Sequence, residues 1–131
     1  MIHESQLPPS LRKKLGLTKR HKYNATKVEL DGYKFDSQKE ARYYSELVIR
    51  KRTHDIFDFV VKPKFILQND FVLRDGTKIR SIIIEPDFQI IHNDYSTEFV
   101  DVKGKITPDW KLKWKMFKYK FRATNVKFTI V

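Results

Sequence analysis

Ser81-Ile82-Ile83-Ile84-Glu85-Pro86-Asp87-Phe88-Gln89-Ile90-Ile91, followed closely by Glu98-Phe99-Val100-Asp101-Val102-Lys103-Gly104, is the stretch that decides how this chain folds. From Arg80 to Ile91 the first segment reads as a strong strand, with Ile82, Ile83, Ile84, Phe88, Ile90 and Ile91 apolar. His92 to Ser96 is turn-like, and Thr97 to Val102 is the next strand, ended by Lys103-Gly104. Side chains along a strand alternate between faces, so Asp101 and Lys103 point the same way, with Val100 and Val102 opposite. A hairpin over 82–103 then brings Asp87 beside that pair.

Working outward, Ile56 to Leu67 is strand-like around Pro63, and Phe59, Val61, Phe65 and Leu67 share one parity, which predicts one buried face. Asn69 to Lys78 holds the turn Asp75-Gly76. Upstream, Val28, Leu30, Tyr33 and Phe35 flank Asp31-Gly32, a tight-turn pair, so 26–35 reads as a β-hairpin. Asp36 or Ser37 can cap a helix with Glu40 near the capping-box position. That helix is predicted from about Ser37 to Arg52, with Ala41, Tyr44, Leu47 and Val48 on its apolar face. Pro108 opens a second helix reaching about Phe121, and Val126 to Val131 is a last strand. The order is hairpin, helix, three strands, helix, strand, an α+β chain with a central mixed sheet flanked by helices. Residues 26–131 read as one domain, and residues 1–25, broken by Pro8-Pro9, read as a basic arm.

The chain has 131 residues and no cysteine, which excludes disulfides, thiolate zinc sites and a cysteine nucleophile and fits a reducing cytoplasm. No apolar run is long enough to cross a membrane, and Met1 to Gly16 lacks a signal-peptide core, so a cytoplasmic location is expected. The formal net charge is +11 and unevenly spread. Residues 1–25 carry +5 and residues 103–131 carry +8, while 26–102 carry −2 and most of the carboxylates. Basic ends around a carboxylate-rich centre point to a polyanionic partner, nucleic acid before an acidic membrane. Candidate phosphate contacts are Lys13, Lys14, Lys19, Arg20 and Lys22 in the arm, Lys64 and Arg80 in the strands, and Lys111, Lys115 and Lys118 on the second helix. Trp110, Trp114, Phe117 and Phe121 recur at helical spacing and read as that helix's core stripe. The four histidines are isolated, so no zinc site is expected. No glycine-rich phosphate loop exists, so no nucleotide cofactor is expected either.

Taken singly, an aspartate after Pro86 and an Asp–Lys pair on one strand are ordinary structural features. Together they suggest chemistry. Carboxylates on a core-forming sheet are costly unless paired or bound to a cation. Magnesium, or manganese in its place, takes one or two carboxylates and completes its shell with waters and phosphate. A neighbouring lysine can orient or deprotonate an attacking water and stabilise developing charge.

The sequence Glu40, then Pro86-Asp87, then Asp101-Val102-Lys103 resembles the PD-(D/E)XK nuclease superfamily. More narrowly, Tyr33-Lys34-Phe35-Asp36-Ser37-Gln38-Lys39-Glu40-Ala41, Pro63-Lys64-Phe65, Pro86-Asp87-Phe88 and Asp101-Val102-Lys103-Gly104 resemble the small phage and prophage proteins of the DUF1064 type. The resemblance implies a restriction-endonuclease-like αβββαβ core behind the N-terminal hairpin. It implies a metal-dependent endonuclease acting on recombination intermediates such as Holliday junctions. By the same resemblance Asp87, Asp101, the Val102 carbonyl and Glu40 are the metal contacts and Lys103 positions the water. Relatives often have an acidic residue directly before the Asp-X-Lys aspartate. Val100 stands there, and Glu98 is expected to share Asp101's strand face and supply a further carboxylate.

Three functions follow. The first is an endonuclease on branched DNA, expected as a homodimer that matches the two-fold symmetry of a junction. The second is a non-catalytic DNA-binding or recombination-accessory protein on the same fold. The third is a structural phage protein that packages DNA through its basic surface.

Overall fold

A computed structural model describes residues 27–131. The basic arm, with Lys13, Lys14, Lys19, Arg20 and Lys22, lies outside the described residues. The chain divides into two compact units, Met1–Tyr44 and Ser45–Val131.

In the first unit, β1 (Val28–Leu30) and β2 (Tyr33–Phe35) form an antiparallel hairpin. Asp31 and Gly32 both have positive φ, 52° and 83°. That is the turn geometry whose twist matches the flanking strands, and it explains the Asp-Gly pair. Phe35 is fully buried, its ring centre 5.1 Å from that of Tyr44 with the planes tilted by 36°. The Tyr44 hydroxyl donates to Asp31 Oδ2 at 2.9 Å. Burial first, then this bond to a carboxylate, pushes the Tyr44 phenol up to about 12. Helix α1 (Gln38–Arg52) begins in this unit. Its cap is Ser37, whose Oγ accepts from the Glu40 amide at 3.1 Å. Ala41, Tyr44 and Leu47 are its buried stripe.

The second unit holds a four-stranded mixed sheet in the order β10-β9-β8-β3, with β3 (Asp58–Val61), β8 (Phe88–Ile91), β9 (Thr97–Asp101) and β10 (Val126–Ile130). β9 and β10 are parallel and the other pairs antiparallel. The parallel pair follows from the connection, because helix α2 (Pro108–Lys120) carries the chain back across the sheet. Thr107 caps α2 and Pro108 opens it, where a missing N–H costs nothing. The core lies between α2 and one sheet face: Phe99 and Phe117 sit 4.6 Å apart, and Phe65, Phe121 and Phe128 pack around them. Phe88, Ile90 and Val100 are fully buried on the other face. No helix among the described residues is long and apolar enough to cross a membrane.

The three strands expected between the helices are cut into shorter ones. Ile56 to Leu67 becomes β3 and β4 (Phe65–Gln68), while Arg80 to Ile91 becomes β7 (Ile82–Ile84) and β8. The short pair β5 (Phe71–Val72) and β6 (Lys78–Ile79) closes the far end. The cut has a simple cause. Val61 pairs with Phe88 and Phe65 with Ile84. Continuing that register sets Pro63 opposite Pro86, two residues without an N–H on facing positions, and the ladder fails there. Beside the break Lys62 takes a left-handed φ of 51°. That residue upsets the alternation of side chains, and the ribbon turns over. Phe65 and Ile84 join the α2 core, while Val61 follows Phe88 to the opposite face. The single buried face expected for Phe59, Val61, Phe65 and Leu67 is therefore two faces.

Candidate active site

The break in the ribbon is where the chemistry-bearing residues meet. Gln89 pairs with Phe99 and Phe88 with Val100, so the next step along β8 and β9 sets Asp87 opposite Asp101. Residues opposed in this way hold their Cβ atoms about 5 Å apart on one side of the sheet. The Asp87 carbonyl accepts from Lys62 N at 2.9 Å. Its carboxylate Oδ2 accepts from Val102 N at 2.7 Å. The Asp87 side chain thus takes the donor that a continued β8 would have used. On the other edge, Val131 N donates to Asp101 O at 2.9 Å and Lys103 N donates to Val131 O at 3.1 Å. Asp101-Val102-Lys103 is pinned from both sides, as a site needing fixed geometry requires.

Asp101 is 3% exposed. Its Oδ2 accepts a short hydrogen bond from the Trp110 indole N–H and lies 3.6 Å from Lys103 Nζ. The ammonium sits 5.2 Å from the centre of the Trp110 ring, within cation–π range. Trp110 in turn stacks on Trp114 at 5.1 Å and 20°. The buried Asp101 carboxylate is thus compensated by the Lys103 ammonium and the Trp110 indole, and the Val102 N–H is a partner of Asp87. Trp110 was expected only as core. Its position in the first turn after Thr107-Pro108, with an N–H that must find an acceptor when half-buried, was the signal for its second role.

A family model described as "Protein of unknown function (DUF1064)" matches residues 20–131. The chain belongs to the DUF1064 family. No curated protein matches it, and no solved structure does.

In this DUF1064 chain Asp87, Asp101, Val102 and Lys103 come together. Glu40 lies in the first unit, 3% exposed, in the first turn of α1. Glu98 is a correction. It stands three residues before Asp101, an odd step, and faces the other side of β9. There its Oε1 lies 2.8 Å from His92 Nε2, and its Oε2 accepts from Thr129 Oγ1 at 2.5 Å. Burial raises the Glu98 pKa, but the bonds from Thr129 and His92 and the charges of Lys127 and His92 outweigh it and hold the carboxyl below its ordinary value. Glu98 is no part of the Asp87–Asp101 notch.

Lys111, Lys115 and Lys118 are exposed on α2, on a face separate from buried Trp114 and Phe117. Lys64 lies 3.8 Å from Glu85 across the ribbon break, and Arg80 lines an open cleft with Asp70 and Lys78. Among the described residues no group of three His, Cys, Asp or Glu side chains is arranged around one metal position. Two facing carboxylates beside a peptide carbonyl are nonetheless a hard-oxygen donor set of the kind magnesium or manganese uses, with water filling the remaining places.

Proposed function

We propose that this DUF1064 protein is a magnesium- or manganese-dependent DNA endonuclease of the PD-(D/E)XK type. The observation that carries this reading is the Asp87–Asp101 opposition, with Lys103 held 3.6 Å from Asp101 at the same notch. Asp87, Asp101 and the Val102 carbonyl would hold the divalent ion. The bound ion would lower the pKa of water and neutralise charge on the phosphate.

The protein's own groups divide the remaining work. The Val102 amide fixes the Asp87 carboxylate, and the Trp110 indole fixes that of Asp101. Lys103, 27% exposed at its side chain, stands where it can meet a phosphate. As an ammonium it would orient the attacking water and stabilise the charge that develops on the equatorial oxygens. Water adds to phosphorus as its proton passes to solvent, one ester bond breaks, and the leaving oxygen takes a proton from a solvent water. Lys111, Lys115 and Lys118 would contact neighbouring phosphates.

Branched DNA is the substrate this reading favours, with a homodimer presenting two notches to two symmetric strands. Such a protein would act in the cytoplasm of a bacterial host, encoded by a phage or prophage. The test is cleavage of a four-way junction, a flap, a duplex and a single strand, each with magnesium and with chelator. Magnesium-dependent scission of the branched substrates is expected. Binding without scission under every condition would leave a non-catalytic DNA-binding protein instead.

A further inference from the structure

At the far end of α2 from the notch lies a second feature. A cleft of about 470 Å³ opens between the helix and β4, lined by Leu67, Lys115, Met116, Tyr119, Lys120 and Arg122. Its volume falls among those of small-ligand pockets, roughly 300–1,000 Å³. Leu67 and Met116 supply an apolar floor. Three cations line it and no carboxylate does. The Arg122 guanidinium lies 3.9 Å from the centre of the Tyr119 ring and donates to the Tyr119 carbonyl at 2.7 Å. The two side chains therefore form a ready-made platform, although Tyr119 is 66% exposed.

An aromatic ring and an arginine plane over an apolar floor, rimmed by ammonium groups, is what an unpaired base with its phosphate requires. Duplex DNA presents no free base face. A second copy of this chain carries a net charge of +11 and is repelled by a cationic rim.

The geometry points to a subsite in this cleft for an unpaired nucleotide of the DNA, its base on Tyr119–Arg122 and its phosphate between Lys115 and Lys120. The position also gives a spacing. Trp110 at the notch and Tyr119 at the cleft are nine residues apart on or next to α2, about 14 Å along the axis. The unpaired base therefore sits a few nucleotides along the strand from the phosphate at the notch. Exposed Lys111, Lys115 and Lys118 mark the path between them. The inference rests on the nuclease reading for its spacing, and it gives that reading a reason to favour branched over continuous duplex DNA.

The test is fluorescence anisotropy with labelled oligothymidylate and a labelled blunt duplex, on the full chain. The proteins are wild type, Tyr119→Ala and Arg122→Lys, with melting temperatures taken on each. Tyr119→Ala is expected to weaken oligothymidylate binding about fivefold to a hundredfold and duplex binding by no more than about twofold. Arg122→Lys keeps the charge, loses the plane and should reproduce most of that loss. Equal losses on both ligands, or none on either, overturn the subsite. Cleavage of a flap by each protein, beside Asp87→Asn, separates the two ideas. If Asp87→Asn alone abolishes cutting and Tyr119→Ala binds single strand normally, the nuclease reading stands and the subsite falls. If wild type does not bind oligothymidylate, the subsite falls, while cleavage of the flap decides the nuclease reading separately.

Discussion

Replacing Trp110 by Phe would test whether the site depends on the hydrogen bond between an indole and a carboxylate. The substitution keeps an aromatic ring to stack on Trp114 but removes the N–H that Asp101 Oδ2 accepts. A hydrogen bond to a charged group contributes about 1.5–3 kcal/mol, and the smaller ring adds a packing loss of about 1 kcal/mol. Asp101 is almost fully buried, so water does not readily replace the lost donor. We expect Trp110→Phe to lower unfolding free energy by about 3 kcal/mol in urea titrations at neutral pH. Partners that orient a metal's ligands typically change metal affinity by about 10–100-fold when removed. The magnesium concentration for half-maximal cleavage should therefore rise by about that factor. Trp114→Phe is the control. Trp114 is 5% exposed and packs against Phe117 and Phe128, so its loss costs stability without touching Asp101. A Trp110→Phe protein with the magnesium dependence of Trp114→Phe would refute the orienting role.

Three further outcomes are expected. Lys103→Ala should slow cleavage by about 10²–10³-fold, as loss of a charge-stabilising group does. Its DNA affinity should change little, while stability falls because buried Asp101 loses a charge partner; unchanged single-turnover rates would remove the lysine from the reaction. Glu98→Gln should destabilise the protein by about 2 kcal/mol at neutral pH. Because the folded pKa of Glu98 lies below its ordinary 4.5, that contribution is present above 4.5 and drains away as pH falls through the folded value. The gap between wild type and variant in urea should close in acid, and a constant gap would contradict the assignment. Tyr44 carries the opposite sign. Its raised phenol stabilises fully below the ordinary 10 and loses that effect as pH rises through about 12, so ultraviolet titration should show a late-ionising tyrosine that Tyr44→Phe removes.

The fold was legible where local chemistry decides it. Asp31-Gly32 can hardly do anything but turn, and Ser37 and Thr107-Pro108 mark helix starts to within a residue. Period two alone set Asp101 and Lys103 on one face, and the structure has them 3.6 Å apart. What escaped were effects between strands. Pro63 and Pro86 each look like a minor blemish in a strand. Only the pairing register makes them face each other, break the ladder and turn the ribbon over at Asp87. The same limit hid the α2 cleft, since Leu67 and Arg122 are distant in sequence and meet only through packing. Glu98 was a parity slip, three residues being an odd step. Trp110 does pack in the core stripe as its spacing predicts, but a helical stripe of aromatics is silent about where an indole N–H points.

The decisive measurement is single-turnover cleavage of a four-way junction by wild type and Asp87→Asn, with protein in excess of DNA and magnesium present. Excess protein removes differences in affinity from the comparison. We expect rapid scission by wild type, none by Asp87→Asn, and junction binding by both within about threefold, since the carboxylate is needed for hydrolysis rather than for holding phosphate. Equal cutting by the two proteins would contradict the claim that Asp87 and Asp101 form the hydrolytic centre.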